Sequence, residues 1–158
     1  MRAVYTILLA IAAQSASCSK IPPPVDTPVH LREGSAVDVP FSVSATGTYD
    51  VQLQYPKDQI PQHFKHKPFD HLSGSATLRT GEKKLEWQLP TGWFRFSPFD
   101  PAACGMVLVR FHAFAGTPYV LTLPVTDLPQ ELKNLQGVVS VYKVGPNFHP
   151  GNHVYELQ

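Results

Sequence analysis

VDVPFSVSATGTYDVQLQYP, residues 37–56, alternates with a period of two. Val37, Val39, Phe41 and Val43 interleave with Asp38, Pro40, Ser42 and Ser44. After Ala45-Thr46-Gly47-Thr48 the pattern resumes, with Tyr49, Val51, Leu53 and Tyr55 against Asp50, Gln52, Gln54 and Pro56. Successive side chains of a strand point to opposite faces, so each run carries one apolar and one polar face. Two half-buried strands are predicted. The polar connection with Gly47 suits a four-residue hairpin loop, and two strands drawn from opposite sheets fit as well.

Downstream the same texture continues. Ala76 and Leu78 mark a short strand, Gly81-Glu82-Lys83 a turn, and Leu85, Trp87 and Leu89 alternate with Glu86 and Gln88. Residues 105–114 (GMVLVRFHAF) form the most apolar run, with Val107, Val109, Phe111 and Ala113 on one face and Leu108, Arg110, His112 and Phe114 on the other. A strand apolar on both faces belongs inside a packed structure. Tyr119, Leu121, Leu123 and Val125 give another strand, residues 128–136 hold at most a helical turn, VVSVYKV follows, and residues 153–157 are the last candidate strand. About eight short strands separated by turn signals predict an all-β, antiparallel β-sandwich, with a barrel as the other solution.

Composition agrees. In 158 residues there are 16 Pro and 10 Gly, and they fall between the apolar runs, where turns belong. Hydrophobic residues make up 43%, enough for a core. Lys plus Arg is 13 and Asp plus Glu is 12, so no basic face is available and nucleic acid is not an expected partner.

Residues 1–17 read as a secretory signal peptide: Arg2, an apolar run over 3–13 (AVYTILLAIAA) too short to span a bilayer, then Ser15-Ala16-Ser17. Cys18 follows. A cysteine after small residues at the end of such a run resembles a bacterial lipobox, with Ser15 departing from the aliphatic residue that pattern prefers. The resemblance implies acylation of the Cys18 thiol, and Ser19 after it implies sorting to the outer membrane, facing the periplasm. Ordinary cleavage, leaving Cys18 to pair with Cys104, is the other reading. Residues 18–29, with Pro22-Pro23-Pro24, read as an extended tether and residues 30–158 as the domain. Leader, tether and alternation together resemble small bacterial lipoproteins carrying one immunoglobulin-like β-sandwich.

Chemistry-bearing residues are sparse. His63, His66 and His71 in one polar loop are weak metal candidates, because Lys57, Lys65 and Lys67 beside them oppose a cation. Trp93, Phe94, Arg95 and Phe96, within an aromatic cluster that includes Trp87 and Phe99, are candidate ligand or partner contacts, with core as the default for such rings. No nucleophile elbow, zinc-protease motif, P-loop or dinucleotide fingerprint is present. The expectation is a non-enzymatic envelope protein without cofactor that acts by binding a protein, of immunity type or structural, held to the membrane through Cys18. A glycan- or metal-binding module is the alternative.

Overall fold

The computed structural model describes residues 22–60, 71–89, 94–96 (by their backbone), 103–145 and 153–158. Nine strands lie among them: β1 (Val25–Val29), β2 (Ser35–Ser42), β3 (Gly47–Pro56), β4 (Gly74–Thr80), β5 (Lys83–Leu89), β6 (Phe94–Phe96), β7 (Ala103–Ala113), β8 (Pro118–Val125) and β9 (Gly137–Lys143). A 3₁₀ turn, Gln130–Leu132, sits where a helical turn was expected. The strands form one five-stranded sheet, β1-β9-β3-β7-β6, and one four-stranded sheet, β2-β8-β4-β5. The antiparallel β-sandwich predicted from alternation is the observed architecture.

The pairing is nested. β1 pairs with β9, β2 with β8, β3 with β7 and β4 with β5, so the chain folds back on itself like one long hairpin whose arms are rolled into two sheets. This is the connectivity of a jelly roll. The innermost turn is a two-residue loop between Thr80 and Lys83. Gly81 takes a φ of 54° there, the left-handed value such tight hairpins require at their first position. Pro28 and Pro40 lie on β1 and β2, both edge strands, where a missing N–H costs no interior ladder bond.

β2 and β3 belong to opposite sheets, the second of the two arrangements open to residues 37–56. Their apolar faces meet across the interior: Val39 and Phe41 from one side, Tyr49, Val51, Leu53 and Tyr55 from the other, all buried. Phe41, Phe111 and Tyr119 pack as a ring trio with centroids 5.2–6.3 Å apart. Each such side chain contributes about 1.5–3 kcal/mol on leaving water.

Four expectations change. β1 falls within the segment read as tether, and the sheet begins five residues ahead of residue 30. The polar face of β3 is not solvated: Asp50, Gln52 and Gln54 are buried like their apolar neighbours. On β7 the register shifts between Val51 and Gln52 of its partner, a bulge that carries one extra residue. Beyond it Met106 and Cys104 oppose Leu53 and Tyr55, while Val107 opposes Gln52 and is only half-buried. The last candidate strand reduces to one bridge, at Tyr155.

Candidate functional site

Residues 153–158 (HVYELQ) run beside β7 beyond the end of β6, parallel to it through the bridge of Tyr155 to Phe111. Tyr155 donates its N–H to the Arg110 carbonyl at 2.9 Å and accepts from the His112 N–H at 3.3 Å. Further along, the Lys84 N–H donates to the Gln158 carbonyl at 3.0 Å. The segment thus straps the edge of one sheet, at β7, to the edge of the other, at β5.

Two clefts flank the strap. One, about 420 Å³, is lined by Lys84, Glu86, His153, Tyr155, Glu156 and Gln158 among others. The other, about 300 Å³, is lined by Thr80, Lys83, His112, Phe114, Tyr119 and Leu157, with Glu156 shared between them. Phe114 is 59% exposed, Val154 42% and Tyr155 36%; these are the exposed large apolar side chains among the described residues, and all stand at this rim. The Phe114 N–H donates to the Tyr119 hydroxyl at 3.0 Å, which anchors the backbone and leaves the ring in water. His112 meets Phe114 edge-on at 5.3 Å, as His153 meets Tyr155 at 4.8 Å.

The strap is weakly held. Leu157 is its only residue that is not exposed, and it packs against the core. Three backbone hydrogen bonds at about 1 kcal/mol each, with about 1–2 kcal/mol from half-burying Leu157, stand against about 6 kcal/mol for ordering six residues. Such a segment sits at the low end of local stability.

A second arrangement lies on the outer face of the five-stranded sheet. Arg110 grips Asp50 with both prongs, Nε to Oδ1 at 2.6 Å and Nη2 to Oδ2 at 2.7 Å, with both side chains nearly excluded from water. The carboxylate holds the Arg110 guanidinium above its ordinary pKa. Gln54 donates to Gln52 at 3.3 Å and to the Tyr142 hydroxyl, and Ser140 donates to Asp26 at 2.6 Å. Donors and acceptors in this row satisfy one another, which suits cohesion rather than proton transfer.

His71 is buried, and its Nε2 lies 3.0 Å from the Tyr55 hydroxyl while its carbonyl accepts from Thr126. It is a core histidine, although the sequence sets it in a polar loop with the weak metal candidates. His63 and His66 lie outside the described residues, and among those described no group of three or more His, Cys, Asp or Glu is gathered. Trp93 also lies outside them. Phe94, Arg95 and Phe96 form β6, opposite Met106, Gly105 and Cys104 in the register. Trp87, also in that aromatic stretch, is buried in the core. Cys104 carries a free, buried thiol whose pKa burial pushes up, partly offset by Lys57. Cys18 is outside the described residues, and no helix among them is long and apolar enough to cross a membrane.

The rim residues were missed in the sequence. One signal was present: Phe114 shares its side of the β7 pattern with Arg110 and His112, just before the turn Gly116-Thr117-Pro118, where a strand ends at the surface.

Fold and rim together define a β-sandwich with one apolar-edged, strapped flank. No family model and no curated protein matches the chain. It is similar to a crystal structure of a protein from Sulfurospirillum deleyianum, at 10% identity and a TM-score of 0.47, over 78% of this chain and 98% of that one.

Proposed function

We propose that the protein is a non-enzymatic lipoprotein of the bacterial envelope, anchored through Cys18 at the outer membrane, facing the periplasm and acting by binding another protein. An immunity-type factor that occludes a toxin, or a structural envelope factor, is the form this takes. The observation that carries the binding part is the gathering of Phe114, Val154 and Tyr155 at one rim, since exposed apolar side chains grouped beside polar ones mark interaction surfaces. Lipobox and leader support the anchor.

A small-ligand module is the second reading, favoured by the 300 Å³ cleft, which is of ligand size and combines Phe114 and Tyr119 with Thr80, Lys83 and His112. Site-specific photo-crosslinking in envelope fractions separates the two. A cross-linker at Phe114 should give a discrete protein adduct absent when it is placed at Glu82, in the β4–β5 turn. Absence of that adduct, with a thermal shift on adding oligosaccharide, would replace the first reading by the second. Cys18→Ala should move the protein from membranes to the soluble fraction, because buried acyl chains supply the affinity; persistence in membranes would refute the anchor.

A further inference from the structure

We infer that the edge of β7 beneath residues 153–158 is a strand-acceptor site, which takes an extended peptide of the partner, parallel to β7, in the place the strap now holds. The inference deepens the protein-binding reading and rests on it. Four observations carry it.

First, the strap is held through backbone. Its hydrogen bonds run from Tyr155 to Arg110, from His112 to Tyr155 and from Lys84 to Gln158, groups that any extended chain presents. Second, β6 covers only Met106, Gly105 and Cys104 of β7, so the stretch around His112 has no other strand on that side among the described residues. Third, the strap buries little: His153, Val154, Tyr155, Glu156 and Gln158 are all exposed. An edge whose cover is so lightly attached is open to exchange. Fourth, the site has one side-chain address. Leu157 packs against the core and lines one cleft together with Thr80, Lys83, His112, Phe114 and Tyr119.

The occupant follows from that address. It is an extended segment with an aliphatic residue for the Leu157 place, an acidic residue before it to meet Lys83, and an aromatic or branched residue opposite Phe111. Lys84 is already paired with Glu86 at 2.7 Å, which leaves Lys83 as the cation for the incoming carboxylate. The exposed ring of Phe114 lies where the flank of such a segment passes. Residues 153–158 then act as an internal competitor, and partner binding requires their displacement.

The test uses the full chain and a fluorescent, end-blocked peptide of sequence HVYELQ. Tyr155→Pro removes the N–H that the strap donates to Arg110 and weakens the internal competitor. Fluorescence anisotropy should show the peptide binding Tyr155→Pro at least tenfold more tightly than wild type. A peptide with Asp in the Leu157 place should lose that binding. Hydrogen exchange of the wild-type chain should show Tyr155 and His112 amides opening at least a hundredfold more readily than Val51 and Leu53.

Equal peptide affinity for wild type and Tyr155→Pro overturns the inference, as does protection at Tyr155 equal to that at Val51; the second readout stands even if the variant fails to fold. A wild-type dimer that the peptide dissociates would make the occupant a second copy of this chain and overturn the partner-peptide form. A Phe114 cross-link to a protein, without peptide binding, would leave the protein-binding reading intact and remove strand addition. Peptide binding without that cross-link would keep the acceptor site and remove the present choice of partner.

Discussion

Asp38 and Asp50 hold equivalent places in two alternating runs, yet the structure gives them opposite surroundings. Asp38, on β2, is 55% exposed and meets Arg79 at 3.4 Å across the sheet surface. Asp50, on β3, is buried and held by both prongs of Arg110. Replacing each by Asn keeps the size and removes the charge. At position 50 the amide still offers one acceptor, but its NH₂ faces a guanidinium N–H, and a buried cation loses its carboxylate. Breaking a buried pair in this way costs about 3–5 kcal/mol, a large share of a stability of about 5–15 kcal/mol. For a domain of this size that is a fall of about 10–20 °C in Tm. Asp38→Asn, a surface pair in high dielectric, should cost no more than about 0.5 kcal/mol. The assay is urea unfolding of both variants, followed by tryptophan fluorescence and thermal melts. Replacing the pair together, Asp50→Leu with Arg110→Met, should recover most of the loss, because an apolar pair leaves no charge stranded. If Asp50→Asn and Asp38→Asn unfold within about 0.5 kcal/mol of each other, the buried outer face of β3 is wrong.

Three further outcomes are expected. Val109→Asp places a carboxylate opposite Val51 in the core and should prevent cooperative folding; an unchanged melting temperature would refute the assignment of that face. Burial pushes the Tyr55 phenol well above its ordinary value of 10.0, so the native state keeps a proton that the unfolded chain gives up. Its contribution is full below pH 10.0, and stability falls above it by about 1.4 kcal/mol per pH unit until the native pKa is reached. The slope of urea midpoints against alkaline pH should flatten in Tyr55→Phe, and an unchanged slope would count against the burial. Zinc at neutral pH should show no calorimetric binding tighter than about micromolar, roughly 8 kcal/mol, since His71 is packed against Tyr55; a sub-micromolar one-to-one isotherm lost in His66→Ala would overturn that.

Much of the fold was legible because strand alternation and turn chemistry are local. Period-two runs marked β2, β3, β5 and β8, and Gly81 and Gly116 marked turns where φ is left-handed. Val109 and Leu53 could be placed inside from pattern alone, and both are buried. The bulge on β7 was not legible: residues 106–109 are apolar without a break, so a slip of one residue leaves no mark in the sequence, and the extra residue appears only against the register of β3.

What the sequence determined by itself, then, is an antiparallel β-sandwich with an apolar interior, because the face of a strand is written in every second residue. Tertiary structure decided which strands pair, that β2 and β3 face each other across the core, and that the Asp50–Gln52–Gln54 row is buried. It also decided that residues 153–158 strap two sheet edges beside Phe114. The reason is physical. Alternation records the polarity of a side chain, but whether a polar face meets water or an arginine sixty positions away depends on contacts distant in the chain. Those contacts form only when the two arms of the chain are rolled together.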